Sequence, residues 1–365
     1  MRFVVAMDSF KGSLSSLEAG NAVKTGIMAS CPDAEVTVLP LADGGEGTID
    51  AVAPFIKGTV KTLTVTGPLN TPVKADYLID QTTGTAYIEM AKASGLTLIR
   101  PEERNPLITT TYGTGELMLD AINSGAKRLV ICIGGSATND GGAGMLMALG
   151  AKLTDKDGND ISSGAIGLKT LSNVDLSELK GKDIDITVAS DVTNPLCGAD
   201  GASRIYGPQK GATEEMISLM DLCLMNYAKI LDHDPFEKGT GAAGGISFAL
   251  KNILGARLMS GAETVTRITH AEEHIKNSDI VITGEGRMDS QTINGKAPFH
   301  ILKIGQKYGR PVIGITGILG EGYEDCLKAG FAKIVPLINP VMETSEAVKS
   351  VEATVRIVME EIQTK

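Results

Sequence analysis

Phe3, Val4, Val5, Ala6 and Met7 form an unbroken apolar run that stops at Asp8, the pattern of a short strand buried on both faces. Ser15 and Glu18, three positions apart, make a capping box. Ala19, Ala22, Val23, Gly26 and Ile27 then mark one helical face, and Pro32 lies just past its end. Residues 35–39 then read as a second strand. Strand, helix and strand in this order predict a βαβ unit and a parallel sheet.

The texture changes between about 57 and 90. Residues 60–66 and 86–90 read as strands, and Gln81, Thr82, Thr83 and Gly84 read as a turn. No helical period intervenes, so antiparallel pairing and entry into a second domain of α+β character are expected. The helical pattern returns from Thr114 to about Gly125. Strands are expected over 129–133 and 184–189, and a helix over 211–231. Regular α/β alternation then resumes: a strand over 280–283, a loop over 284–289, a helix over about 299–308, strands over 312–316 and 334–337, and a terminal helix from about Ser345. Similar texture at both ends predicts one parallel-sheet domain built from 1–66 plus 280–365, interrupted by an inserted domain over 67–279.

With 365 residues, 42% of them hydrophobic, the chain can bury more than one core. A formal net charge of −10 excludes a surface built for nucleic acid or an anionic membrane, since phosphate backbones select basic faces. Small anions must then be met by a few local cations and backbone N–H groups. The five Cys (Cys31, Cys132, Cys197, Cys223, Cys326) form no CxxC pair and read as reduced thiols. His270 and His274 lack a third convergent ligand and, beside Glu272 and Glu273, read as a solvated helix face. The N-terminal apolar run is too short for a signal peptide, and no stretch reaches the roughly 18–20 apolar residues of a membrane span. A cytoplasmic location without membrane partners is expected.

The candidate chemistry falls just after predicted strands, where open α/β sheets bind ligands. The loop 134–144 holds five glycines with Ser136, Asn139 and Asp140. Glycines let successive N–H groups converge on an anion. Gly134, Gly135, Ser136, Asn139, Gly141 and Gly142 are therefore the candidate phosphate cradle. Asp43 and Glu46, in 40–48, offer oxygen ligands to Mg²⁺. Asp8, Ser9 and Lys11 place an acid, a hydroxyl and a cation at the end of the first strand, an anion clamp in which Asp8 positions the cation or binds metal. Asp191, after the strand 184–189, is the candidate general base for a substrate hydroxyl. The segment 284–292, with Lys296 behind it, concentrates charge more than any other. There Arg287 can grip a carboxylate bidentately, with Asp289 and Thr292 beside it, and Lys296 can offset developing charge.

The familiar nucleotide fingerprints fail. Gly295-Lys296 lacks the upstream glycine and following Ser/Thr of a Walker A loop, and the GxGxxG match at 239–244 follows no strand. Six ordered segments carry a resemblance instead: DSFKGSLS (8–15), PLADGGEGT (40–48), IGGSATNDGGAGM (133–145), ASDVTNPLCG (189–198), GAAGGI (241–246) and GEGRMDSQT (284–292). Through them the chain resembles the bacterial glycerate kinases of the glycerate 2-kinase type. That resemblance implies a two-domain α/β enzyme: a flavodoxin-like domain, an inserted domain and an active site in the cleft between them. It also implies transfer of the ATP γ-phosphoryl group to D-glycerate with Mg²⁺, giving 2-phosphoglycerate and ADP. Two other classes compete. A non-catalytic sensor of small acids would need anion loops but not several strand-end carboxylates, and a nicotinamide-dependent dehydrogenase would need a correctly placed GxGxxG.

Overall fold

A computed structural model of the chain describes residues 1–10, 12–42, 44–45, 47–338 and 343–363, the last without its side chain. Thirteen strands are present among the described residues. They are β1 (Arg2–Met7), β2 (Glu35–Pro40), β3 (Thr59–Thr66), β4 (Pro72–Asp80), β5 (Thr85–Glu89), β6 (Arg128–Cys132), β7 (Lys152–Thr154), β8 (Asn173–Asp175), β9 (Asp185–Ala189), β10 (Arg257–Met259), β11 (Ile280–Met288), β12 (Val312–Leu319) and β13 (Lys333–Pro336). They belong to two compact units, one comprising Met1–Asp43, Asp50–Phe55 and Gly261–Lys365, the other Gly44–Ile49 and Ile56–Ser260.

The first unit is built on a five-stranded sheet of order β13-β12-β11-β1-β2, parallel throughout. Numbered within the unit this is 2-1-3-4-5 read from the β2 edge, the flavodoxin-like order. The apolar run of β1 is continuous because both faces are covered. Phe3, Val5 and Met7 pack with Val23 and Ile27 of helix Ser16–Ser30 and Val351 and Val355 of helix Thr344–Gln363. Val4 and Ala6 pack on the other face with Ile301 and Leu302 of helix Ala297–Lys307. The capping box is formed, Ser15 accepting from the Glu18 N–H while Glu18 accepts from Ser15. Gly26 allows the two helices on the first face to touch: a Cβ there would lie 2.8 Å from Val355 Cβ and 2.9 Å from the Glu352 carbonyl.

The second unit carries a six-stranded mixed sheet of order β10-β9-β6-β5-β4-β3, with a separate β7-β8 hairpin. Strands β5, β6, β9 and β10 run parallel, whereas β3, β4 and β5 form an antiparallel meander. The antiparallel entry expected from the texture is present, but β4, not foreseen, stands between the two strands that were. It places β3 in the second sheet, so residues 59–66 lie with the second unit, not before a boundary at 66/67. At the other end, helix Gly261–Ile268 packs with helix Ala297–Lys307, and residues 261–279 lie with the first unit. No helix among the described residues is long and apolar enough to cross a membrane.

Candidate active site

In the first unit the chain moves from β1 towards β2 in one direction and from β11 towards β12 in the other. The helices after these strands cover opposite faces. Such a reversal opens a crevice beyond the carboxyl ends of the two central strands. Asp8 leaves β1 there. Its N–H donates to the Gly284 carbonyl (2.8 Å), and its Oδ1 accepts the Ser9 N–H (2.7 Å).

β11 does not end at 283 as expected. It continues through Met288 because β12 keeps pairing with it, Glu285 opposite Thr316 and Arg287 opposite Ile318. The segment read as a loop is therefore strand, and its two-residue period puts Glu285 and Arg287 on one face. Glu285 is only 8% exposed. Its Oε1 accepts from Thr292 Oγ1 (2.7 Å) and its Oε2 from Lys296 Nζ (3.2 Å). Asp289 accepts from Arg287 Nε (3.1 Å) and the Gln291 N–H (2.9 Å), with Lys296 Nζ 3.7 Å away. One ammonium thus serves two carboxylates, and the two titrate in opposite directions. Burial, with the charge of Asp8 behind it, pushes Glu285 above the usual glutamate range against the pull of Thr292 and Lys296. Burial raises Asp289 as well, but the Gln291 N–H, Lys296 and Arg287 outweigh it and hold the group below its ordinary value. Carboxyls pushed apart in this way mark acid–base sites.

Thr292 requires a correction. It is fully buried, its hydroxyl donates to Glu285 and accepts the Asp289 N–H (3.1 Å), so it positions the two carboxylates and does not face a substrate. Arg287, with its side chain 62% exposed, is open to a ligand. Glu285 was not singled out from the sequence. The available signal was a carboxylate held between two glycines where an apolar strand should end.

In the second unit, Gly134 and Asp191 each stand two residues beyond neighbouring parallel strands, β6 and β9, whose last residues Cys132 and Ala189 are paired. Asp191 is exposed. The segment Gly44–Ile49 lies over the same edge: Gly47 and Ile49 N–H groups donate to the buried Glu89 carboxylate at the end of β5 (3.2 and 2.6 Å), and Gly134 N–H donates to the Gly44 carbonyl (3.2 Å). A Cβ on Gly44, whose φ is +81°, would lie 2.8 Å from the Ala189 carbonyl. Asp43 and Glu46 lie outside the described residues, as does Lys11. Among the described residues no group of three or more His, Cys, Asp or Glu is arranged to hold a metal.

The glycine-rich loop divides in two. Gly134 is half-buried, Gly135 is exposed with φ +78°, and the N–H groups of Gly135 and Ser136 have no hydrogen-bond partner among the described residues. This part fits an anion. Asn139, Gly141 and Gly142 are buried and do not form the cradle expected of them. Asn139 donates to Ser203 Oγ (2.8 Å). A Cβ on Gly141 would meet the Tyr227 ring at 2.9 Å, and one on Gly142 would meet Ala249 at 2.7 Å. Their lack of a side chain admits neighbouring helices. The GxGxxG match is explained likewise: Ala243, Gly244 and Gly245 form a left-handed turn, and Gly244 lies so close to Thr138 that a Cβ would be 1.9 Å from its carbonyl.

Beneath the open half of the loop lies Lys210, which nothing in the local sequence marks out. It is 2% exposed, and its Nζ donates to Ser136 Oγ (2.8 Å) and the Thr138 carbonyl (2.6 Å). Burial lowers its amine to about 7, against the pull of Asp140. Asp140 is itself buried, and its carboxylate accepts from Thr111 N–H and Oγ1 (both 2.9 Å), Gly142 N–H (3.1 Å) and Gly144 N–H (3.3 Å). A cavity of about 630 Å³ in the first unit, lined by Glu263, Arg267, His270, Glu272, His300 and Tyr308 among others, contains none of these groups. Its charges are largely paired among neighbours, Glu263 with Arg267 and Glu272 with Lys307 and Tyr308.

A flavodoxin-like sheet with paired carboxylates at its switch point, joined in one chain to a mixed sheet whose glycine-rich loop leaves two N–H groups open, has the architecture of an α/β enzyme. Comparison with known proteins makes this specific. The model of the glycerate kinase family matches residues 3–365. The chain is 48% identical over 354 residues to the glycerate 2-kinase of Escherichia coli (strain K12), covering 95% of this chain and 93% of that one. It is 43% identical over 368 residues to the glycerate kinase of Bacillus subtilis (strain 168), covering 98% and 96%. A crystal structure of the candidate glycerate kinase 2 of Salmonella typhimurium LT2 superposes with a TM-score of 0.87 at 45% identity, over 99% of this chain and 97% of that one. The chain belongs to the glycerate kinase family, and it is a kinase.

Proposed function

We propose that the enzyme transfers the γ-phosphoryl group of ATP to the 2-hydroxyl of D-glycerate, giving 2-phosphoglycerate and ADP, with Mg²⁺, in the cytoplasm. The observation that carries this reading is the switch-point cluster: one lysine shared by two carboxylates of opposite tendency, with an open arginine beside them. The choice of the 2-hydroxyl follows the name of the Escherichia coli relative. Five cysteines with no CxxC pair among them suit a reducing compartment.

In this reading Arg287 takes the substrate carboxylate, with Ser9 and Asp8 on the neighbouring strand end and Asp289 holding the guanidinium in place. Lys296, steadied by Glu285, offsets charge that develops on the transferring group. Gly134, Gly135 and Ser136 hold phosphate oxygens of the nucleotide through backbone N–H groups. Asp191 accepts the proton of the substrate hydroxyl. Lys11 is assigned to charge compensation, and Asp43 and Glu46 to the metal ion that neutralises the phosphates when bound. The test is an ADP-release assay with each glycerate enantiomer, followed by phosphorus NMR of the product. D-Glycerate-dependent ADP and a 2-phospho product are expected. Absence of glycerate-dependent ADP removes the reading and favours a small-acid sensor, while a 3-phospho product removes the regiochemistry alone.

A further inference from the structure

We propose that Lys210 is a positioning residue for the anion loop, its ammonium acting through the Ser136 hydroxyl on a nucleotide phosphate held at Gly134 and Gly135. The inference rests on the reading of that loop as the phosphate site.

Burial of this ammonium is costly. Taking an ammonium out of water costs several kcal/mol, and an apolar side chain of similar length fills such a space with less penalty. Two neutral oxygens, Ser136 Oγ and the Thr138 carbonyl, receive this ammonium at 2.8 and 2.6 Å. Its countercharge, Asp140, is occupied by four other donors. The charge is therefore poorly neutralised where it stands, and its field acts on whatever lies above it. What lies above is Ser136, followed outward by Gly135 and Gly134. Because Ser136 Oγ accepts from Lys210, its own proton is turned away from the ammonium. A hydroxyl polarised by a cation is also a stronger donor. With the unpartnered N–H groups of Gly135 and Ser136 beside it, that proton completes a set of donors for phosphate.

The arrangement also couples binding to a proton. The charged group that acts on Lys210 is Asp140 on the loop; Tyr227 on helix Glu214–Ile230 feels the same carboxylate, and Arg104 donates to the neighbouring Gln209 carbonyl (3.5 Å). Burial and Asp140 push the Tyr227 hydroxyl further up, so it stays neutral. With its amine lowered to about 7, Lys210 is mostly neutral at pH 8. An anion at Ser136 favours the ammonium and raises that value, so binding draws a proton from solvent.

The experiment is titration calorimetry of ADP at pH 8 in two buffers of different ionisation enthalpy, on the full chain and on Lys210→Met, Lys210→Gln, Ser136→Ala and Gly135→Glu. Uptake of a fraction of a proton per ADP is expected in the wild type and none in either Lys210 variant. The Kd for ADP should rise about 10- to 100-fold in both, the scale of one charge-assisted hydrogen bond. Gln restores the neutral donors but not the charge, so recovery of affinity and proton uptake in Lys210→Gln overturns the electrostatic role. Ser136→Ala keeps the lysine and should lose about as much affinity, which decides the matter if the Lys210 variants do not fold. If Gly135→Glu abolishes ADP binding while the folded Lys210 and Ser136 variants bind like the wild type, the loop reading stands and the proposal falls. If Gly135→Glu binds ADP normally, the loop is not the phosphate site and the proposal falls with it.

Discussion

At the end of β11 a carboxylate is buried beside cations, whereas under the glycine-rich loop a cation is buried beside neutral oxygens. Glu285 shares its ammonium with Asp289 at a partly exposed edge, and its neighbours satisfy both carboxylate oxygens. Lys210 is fully enclosed, and the acid that acts on it is engaged elsewhere. The first arrangement holds side chains in the geometry that chemistry needs and leaves Arg287 free to meet a ligand. The second leaves an ammonium behind a hydroxyl and two backbone N–H groups that have no partner among the described residues. The same kind of ion in a protein interior can thus serve as a fixture or as a source of potential. The partners it lacks separate the two cases.

Substitution at each site shows which carboxylate takes the proton. Asp191→Asn is expected to lower kcat by about 10²- to 10⁴-fold while the fold survives, the range of a general base. Glu285→Gln, which leaves Lys296 less firmly held, should cost about tenfold in kcat. Steady-state rates of the two variants decide between them, and the reverse ranking moves the base to the first unit. Glu285→Gln also has a stability signature. A carboxyl raised in the folded state binds more protons there than in the unfolded chain, at pH values between the ordinary glutamate value and the raised one. Wild-type stability therefore falls as pH climbs through that window, while the Gln variant does not titrate. Thermal melts should show the two nearly alike in acid and the variant ahead at neutral pH. A variant that is less stable at neutral pH would mean that the Lys296 contact outweighs the burial.

The contrast also explains what was legible in the sequence. The switch-point charges lie within a few residues of one another, at a strand end that hydropathy marks, so Asp8, Ser9, Arg287, Asp289 and Lys296 could be picked out locally. Glu285 escaped because the strand was ended at the glycine before it, although pairing with β12 carries it on to Met288. β4 is harder to read than 60–66 because Val73, Ala75 and Tyr77 alternate with Lys74 and Asp76, residues that strands disfavour, whereas 60–66 is rich in threonine. The glycine-rich loop was read as one object, since glycines that admit a ligand and glycines that admit a helix look alike in a sequence. Lys210, between Pro208 and Gly211, reads as a turn lysine in solvent. Only the packing of the loop above it makes it an interior residue.

That division of the loop can be tested glycine by glycine. Gly141→Ala combines a left-handed φ of +64° with contacts of 2.9 and 3.0 Å to Tyr227 and Leu224, and should destabilise the protein by about 2–5 kcal/mol. Gly135→Ala carries the backbone penalty of its φ of +78° and should lose about 1–2 kcal/mol. The ligand response should run the other way, with ADP affinity falling in Gly135→Ala and remaining near wild type in whatever fraction of Gly141→Ala is folded. Denaturant melts and calorimetry on the pair check both halves. Equal stability losses would mean that the loop is a single structural element after all.

The smallest expected effect lies in the turn packed against the buried half. Ala243 is held at φ +52°, between Ala242 and two glycines that are also left-handed. An L residue there carries a strain of about 1–2 kcal/mol. The turn tolerates it because Gly244 must lie against the Thr138 carbonyl and Gly245 against Gly141. Ala243→Gly removes the strain but loosens the unfolded chain by about 0.5–1 kcal/mol, so the net gain should be about 0.5 kcal/mol, a rise in Tm of roughly 1–2 °C. ADP affinity should not move, because the residue supports the packed half of the loop and not Gly134 to Ser136. A loss of more than about 1 kcal/mol would show that the Ala243 methyl group packs against the second core strongly enough to offset the strain. A change in ADP affinity would show that the two halves of the loop are mechanically coupled, and the separation between scaffold and anion site would have to be given up.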